Sequence, residues 1–181
     1  FNQNRWRAWS IDHVVKDINF LKEKYQIDAV KFYDDNFFVD KARALEILKI
    51  IDLPSHLEIR IDMIDDALAQ ELKQRRVFDL LIGAEAGSDR ILSMINKKIT
   101  VERILAAVKS LAKFDVPACY SVIVGLPSET KEEFEATINL LYQIYKIHPK
   151  AAFTLGAYMP YPGSLMYNMA IEAGFKPPLK T

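Results

Sequence analysis

Charged side chains recur in this sequence where apolar runs end. Asp34 and Asp35 follow one such run, Arg60 lies at the end of a second, and Glu85 follows a third. A carboxylate at these places could accept hydrogen bonds from a ligand ammonium, and a guanidinium could clamp a ligand carboxylate through two parallel hydrogen bonds. Each run precedes a helical pattern, as in α/β enzymes whose sites lie at the carboxyl ends of the strands.

Each of these residues also has a structural interpretation. Asp34 and Asp35 could serve turn and capping roles, in which Asp is common. Strand alternation points the two in opposite directions, so at most one of them faces the mouth of the sheet. Arg60 could equally form an internal salt bridge to Asp62 or Glu85, because an unpaired buried charge is very costly.

Two glycine-containing loops favour the close approach of a ligand. Glu85 stands in the stretch 83–88, whose glycines let the backbone approach a ligand and whose carboxylate could hold two ribose hydroxyls. The alternative role for Glu85 is pairing with Arg60. Gly125 ends an apolar run before a proline turn, where bare backbone could lie against a flat ring, although turn chemistry explains part of the pattern.

The sequence gives less support to a metal site, a reactive thiol or a known nucleotide-binding or nucleophile motif. His13, His56 and His148 lie in different elements without metal-ligand spacing, so no metal site is predicted. Cys119 lies in an apolar run and is expected to be a small buried hydrophobe. No Walker loop, nucleophile elbow or Gly-rich dinucleotide fingerprint is present.

Helices and strands alternate along the chain. The predicted strands span residues 28–33, 56–61, 78–83, 117–124 and 151–158. Helices are predicted to start at Ser10, Asp40, Asp65, Ser88, Thr100, Thr130 and Ser164. Thr130 and Glu133 form a capping-box pattern, and Gly174 ends the last helix.

This alternation predicts an α/β fold, a partial, open (β/α) barrel of about five parallel strands. Five strands are too few for a closed eight-stranded barrel, which takes about 250 residues. With 181 residues and no linker or low-complexity tract, a single domain over residues 1–181 is expected.

The bulk composition limits the function classes. Lys plus Arg and Asp plus Glu number 24 each, so no basic excess indicates nucleic acid as a partner. A single cysteine rules out an internal disulfide framework and favours a cytoplasmic location. No apolar run approaches the ~20 residues of a membrane span, and the first residues do not form a signal peptide.

Four stretches together resemble the radical S-adenosylmethionine (SAM) superfamily, in the branch that often carries an upstream cobalamin-binding domain. The resemblance runs from Arg5 to Gly174, and its order and spacing are specific. The stretches are Phe32-Tyr-Asp-Asp-Asn-Phe37, Gly83-Ala-Glu-Ala-Gly-Ser-Asp-Arg-Ile-Leu92, Gly125-Leu-Pro-Ser-Glu-Thr130 and Pro160-Tyr-Pro-Gly-Ser-Leu165.

The resemblance implies roles for the candidate residues. Asp34 or Asp35 falls where the family contacts the SAM amino group, and Arg60 falls on a strand that meets the carboxylate. Glu85 falls at the ribose-contacting position. The strand from Ser121 to Gly125 resembles the adenine-side strand, although Ser121 replaces a frequent glycine.

The resemblance also implies cofactors that this sequence cannot hold alone. In the family, three thiolates of a CxxxCxxC motif bind a [4Fe–4S] cluster, and reductive cleavage of SAM yields methionine and a 5′-deoxyadenosyl radical. The motif is absent, so the chain is expected to be a truncated core whose cluster ligands, and a cobalamin domain, lie upstream. An external electron donor and a small-molecule or lipid-like substrate are the implied partners.

Two other functions remain open at this stage. One is a cluster-free barrel acting as a binding or interaction module. The other is an aldolase-like lyase, for which Lys31 is the only Schiff-base lysine near a strand end. For the truncated core, self-association is expected through the open edge of the first strand, Ala29 to Tyr33.

Overall fold

The fold is an open half-barrel of five parallel strands, as the sequence predicts. A computed structural model describes residues 6–164 and 166–178. The strands occur in the sheet in chain order, β1 to β5, and every adjacent pair is parallel. Arg5 and Leu165, which bound two parts of the family-like pattern, lie outside the described residues.

The strand bounds differ from the sequence prediction by one or two residues at every end except Val124. The strands are β1 (Val30–Lys31), β2 (Ser55–Ile59), β3 (Val77–Glu85), β4 (Cys119–Val124) and β5 (Ala152–Ala157). The first strand is therefore shorter than the predicted 28–33, and β2 ends before Arg60. Arg60 keeps extended dihedral angles (φ −73°, ψ 133°), which explains the strand-like pattern, but it precedes a 3₁₀ turn at Ile61–Met63 instead of joining the ladder.

Helices cover the outer face of the sheet. They are α1 (Ile11–Tyr25), α2 (Lys41–Ile51), α3 (Asp66–Gln74), α4 (Asp89–Met94), α5 (Val101–Lys113), α6 (Lys131–Ile147) and α7 (Tyr167–Glu172). No helix in the described ranges is long and apolar enough to span a membrane.

Polar caps fix the starts of the first six helices. The predicted side chains each accept a hydrogen bond from the backbone N–H three residues on: Ser10, Asp40, Asp65, Ser88, Thr100 and Thr130. Such a cap stabilises a helix by about 1 kcal/mol. The seventh helix begins at Tyr167 instead of Ser164 and has no side-chain cap, while Gly174 follows it with φ +100°.

Strand alternation separates the core from the concave face. Along β3, Leu80, Ile82 and Ala84 are fully buried beneath the helices. The intervening residues point to the concave side, and Leu81 and Gly83 line a cavity there. The concave face at the carboxyl ends of the strands is therefore the surface that the helices leave open.

Candidate active site at the mouth of the half-barrel

One cavity at the carboxyl ends of β2, β3 and β4 collects most of the predicted site residues. Its volume is about 220 Å³. The side chains that line it include four of the six predicted residues: Asp35, Arg60, Glu85 and Ser121. Glu58, Asp62 and Lys97 line it too and were not predicted from the sequence as parts of the site.

The two adjacent aspartates separate in the structure. Asp35 lines the mouth cavity, whereas Asp34 lines a groove on the outside, between β1 and the first two helices. Both follow β1 instead of lying on the strand, and Asp35 begins the turn. The Phe37 N–H donates to the Glu58 carbonyl at 3.0 Å, which ties this turn to β2. Asp35 is therefore the one of the pair that lines the mouth cavity.

Arg60 is held at the rim by Asp62. Its Nε and Nη2 groups donate to the two Asp62 carboxylate oxygens at 3.0 and 2.8 Å. These bonds lower the pKa of Asp62 and raise the pKa of Arg60. Of the two salt bridges that the sequence left open, the structure forms the one to Asp62. The guanidinium has five N–H donors, so its remaining edge can still bind a carboxylate.

Glu85 pairs with a lysine and not with Arg60. Lys97 Nζ lies 2.6 Å from Glu85 Oε1, and the Glu85 side chain is only 13% exposed. A methyl group at position 83 would lie 2.3 Å from the same oxygen, so Gly83 provides the space for the carboxylate. A carboxylate has about four acceptor positions, and the ammonium leaves room for hydroxyl donors.

The backbone at Glu85 is itself unusual. Glu85 has φ +65°, a left-handed conformation that costs a non-glycine residue about 1–3 kcal/mol. The pairing between β3 and β4 shifts register between Gly83 and Glu85, and the Ala86 N–H donates to the Ala84 carbonyl at 2.9 Å. Strain of this kind often occurs at functional sites, where the surrounding structure maintains it.

The adenine-side candidates lie on and just beyond β4. Ser121 pairs in register with Gly83 and lines the cavity. Gly125 has φ +74° and lies at the surface, lining a different groove beside Tyr158 and Phe175. Its N–H donates to a carboxylate oxygen of Glu129, which closes the turn. The structure therefore does not bring Gly125 into the mouth cavity.

The concave face also carries polar residues that the sequence did not mark as a site. His56 Nδ1 lies 2.8 Å from Asp79 Oδ2, and these residues are partners in the β2–β3 register. Lys31, the Schiff-base candidate, is exposed, with its ammonium 4.6 Å from the centre of the Tyr33 ring. In the described part of the chain, no group of three or more His, Cys, Asp or Glu residues could hold a metal ion.

Glu58 and Lys97 had weak sequence signals. Glu58 interrupts the apolar run of β2 with a charge on the inward-facing register, where Leu81 is its partner on β3. Lys97 follows the short helix α4, and its contact with Glu85 depends on how that helix folds back over β3. A lysine next to another lysine at a helix end looks like an ordinary surface charge in sequence.

Comparison with known proteins identifies relatives of this chain by sequence. The family model of the radical SAM superfamily matches residues 1–141. An uncharacterized methyltransferase of Pyrococcus horikoshii is 34% identical over 172 residues, which cover 92% of this chain and 37% of that protein. A tRNA-2-methylthio-N(6)-dimethylallyladenosine synthase of Petrotoga mobilis is 29% identical over 160 residues, covering 84% and 35%.

A solved structure shares the fold. The radical SAM methyltransferase TsrM from Kitasatospora setae, with cobalamin and a [4Fe–4S] cluster bound, superposes with a TM-score of 0.67. Its sequence identity is 17%, and the match covers 80% of this chain and 30% of that one. The chain thus spans about a third of the length of the curated relatives it matches.

Proposed function

Because the chain belongs to the radical SAM superfamily, we propose that its mouth cavity binds SAM within an enzyme of the methyl- or methylthio-transferring kind. The observation that carries this proposal is Glu85, a mostly buried carboxylate held in a strained conformation at the carboxyl end of β3. It shares its cavity with a carboxylate and a guanidinium, Asp35 and Arg60.

The donor set fits the polar groups of SAM. Asp35 accepts hydrogen bonds from the amino group of the cofactor, and the open edge of Arg60 donates to its carboxylate. Glu85 accepts from the ribose hydroxyls while the ion pair with Lys97 holds the carboxylate in place. Gly83 and Ser121 line the strand side of the cavity, so the ligand meets little side-chain bulk there.

The residues of this chain do not fit an iron–sulfur cluster. A [4Fe–4S] cluster needs several thiolate ligands, and the sequence contains only Cys119. In the superfamily the cluster supplies the electron that cleaves SAM. The contribution of the present residues is to bind and orient SAM, and we assign the cluster, the electron donor and cobalamin to the whole protein.

The charge of the chain bears on the class of substrate. One relative carries a tRNA-modifying name. The balanced charge of the present chain, 24 basic and 24 acidic residues, favours a small-molecule or lipid-like substrate instead. A cluster-free binding module is the second candidate, because the single cysteine of this sequence is too few thiolates to bind a cluster.

Binding of S-adenosylhomocysteine, a stable analogue of SAM, tests the proposal. Calorimetric titration of the chain should give a measurable affinity that Glu85→Ala weakens on the order of tenfold, since hydrogen bonds to a charged group contribute about 1.5–3 kcal/mol. Glu135→Ala is the matched control, because Glu135 is an exposed carboxylate on α6. Equal affinity of the two variants would contradict the ribose role of Glu85.

A further inference from the structure

The strained loop that carries Glu85 is anchored from behind by helix α6. The Gly87 N–H donates to Thr137 Oγ1 at 2.9 Å, and Thr137 is fully buried. The Thr137 hydroxyl in turn donates to the Glu133 carbonyl at 3.1 Å. A single threonine therefore receives one hydrogen bond from the loop and gives one to its own helix.

The contact between loop and helix is close enough to require glycine. A methyl group at position 87 would lie 2.3 Å from the Ala136 carbonyl oxygen, which is backbone and cannot rotate away. Ser88 adds a third link, because its hydroxyl donates to Glu133 Oε1 at 2.9 Å. The residues that follow Glu85 are thus fixed on α6 by backbone contact and two hydrogen bonds.

We propose that Thr137 and Gly87 are positioning residues for the cofactor site, which hold Glu85 in its left-handed conformation and so aim its carboxylate into the mouth cavity. A left-handed glutamate persists only where its surroundings fix it. Upstream of Glu85 the β3 ladder provides that restraint, and downstream the Gly87–Thr137 contact provides it. Neither residue lines the cavity, so both act through Glu85.

This inference rests on the proposed function, in which Glu85 accepts hydrogen bonds from ribose. The test therefore compares S-adenosylhomocysteine with its 2′-deoxyribose analogue, which differs only at the sugar. The unmodified chain should bind the ribose form tighter on the order of tenfold. The ratio of the two affinities reports the orientation of the Glu85 carboxylate, and it does not change when both affinities fall equally through loss of folded protein.

Thr137→Val retains the shape of threonine and removes the hydroxyl. The expected result is that the ribose preference falls to less than about threefold while the affinity for the deoxy analogue stays within about twofold. Thr137→Ser, which keeps the oxygen, should retain the preference. Gly87→Ala, which displaces the loop from the Ala136 carbonyl, should lose it, and it provides a second route if Thr137→Val folds poorly.

A double variant separates positioning from a general structural effect. In a Glu85→Ala background, Thr137→Val should not change the ribose preference further, because its effect passes through Glu85. Full ribose preference in folded Thr137→Val and Gly87→Ala, accompanied by lower melting temperatures, would overturn the positioning role and leave the proposed function intact. Absence of any binding of S-adenosylhomocysteine to the unmodified chain would overturn the proposed function, whereas binding without a ribose preference would overturn the ribose role of Glu85 and with it the positioning role.

Discussion

At the scale of single residues, the site depends on which of two adjacent carboxylates faces the mouth. Asp35 lines the cavity and Asp34 lines the outer groove. We therefore expect Asp35→Asn to weaken the binding of S-adenosylhomocysteine on the order of tenfold, because the proposed hydrogen bond to the amino group would lose its charge. Asp34→Asn is the matched control and should bind within twofold of the unmodified chain. The reverse order of effects in calorimetry would refute the assignment.

Gly125 offers a second residue-scale test, of backbone conformation alone. Its φ is +74°, and a methyl group there would contact nothing within 4 Å. Gly125→Ala should therefore lower the free energy of unfolding by about 1 kcal/mol through conformational strain, measured by urea denaturation. Gly156→Ala, in β5 and with its nearest contact at 4.0 Å, should be close to neutral. Equal losses in the two variants would show that φ is not the cause.

The sequence predicted the chemistry of several residues better than their partners. It offered Asp62 or Glu85 as the partner of Arg60, and the structure forms the Asp62 pair. It missed Lys97, because the Glu85–Lys97 contact depends on the path of α4 and not on local spacing. Similarly, nothing in the sequence marks Glu85 as left-handed, since that conformation is imposed by the loop contacts with α6.

At the scale of elements, a hydrogen-bond network centred on Glu133 joins the loop after β3 to the start of α6. Glu133 accepts from the Thr130 N–H at 3.0 Å, from Ser88 and from Arg90 Nε at 2.7 Å. The Arg90 bonds, with the Thr130 N–H, lower the pKa of Glu133 to about 2. Because the folded pKa is depressed, the stabilisation is complete above the ordinary glutamate pKa and disappears as the pH falls toward 2.

A pH series tests this network. Glu133→Gln should lower the melting temperature at pH 7, and the difference from the unmodified chain should shrink between about pH 4.5 and pH 2, as the glutamate takes up its proton. Glu135→Gln, in the same helix, is the control and should show little pH-dependent difference. A melting-temperature difference that stays constant down to pH 2 would contradict the depressed pKa.

Element order was predictable, and element ends were less so. All five parallel strands and the first six helix starts follow from apolar periodicity and capping residues. The error at the end of β2 lies where extended backbone continues without joining the ladder. Arg60 shows this, because its dihedral angles remain strand-like after the ladder has ended.

At the scale of the whole molecule, the open sheet has two edges. The sequence predicts self-association through the first strand, but β1 has only two residues and one of them is Lys31, a charge that discourages edge pairing. β5 is the longer edge, with Phe153 and Leu155 exposed on the helix side. We expect a second copy of the chain to associate at this edge.

Leu155→Lys should shift the mass measured by size-exclusion chromatography with light scattering toward the monomer. Ile50→Lys is the matched control, because Ile50 is exposed to a similar degree, 48% against 51%, but lies on helix α2 away from the edge. If the unmodified chain is a monomer at concentrations near 100 μM, or if both variants dissociate equally, the edge is not the interface.

The last prediction concerns cofactor chemistry in the chain as a whole. We expect the 181-residue chain neither to assemble a [4Fe–4S] cluster nor to cleave SAM, although we propose that its mouth cavity binds SAM. Several thiolates are needed. Cys119 supplies one, on β4, where its sulfur lies 3.3 Å from the Thr154 hydroxyl. Anaerobic reconstitution, read by iron and sulfide content, visible absorbance and 5′-deoxyadenosine formation, measures both activities.

The native gene product is the comparison, and Cys119→Ala is the control for adventitious iron. A cluster with turnover in the native product alone would place the cluster thiolates outside this sequence. It would also agree with the proposal that the mouth cavity orients SAM. A stoichiometric cluster with turnover in the 181-residue chain would refute the prediction. Absence from both would favour a cluster-free binding module, because the proposed SAM-binding carboxylates and Arg60 cannot supply an electron.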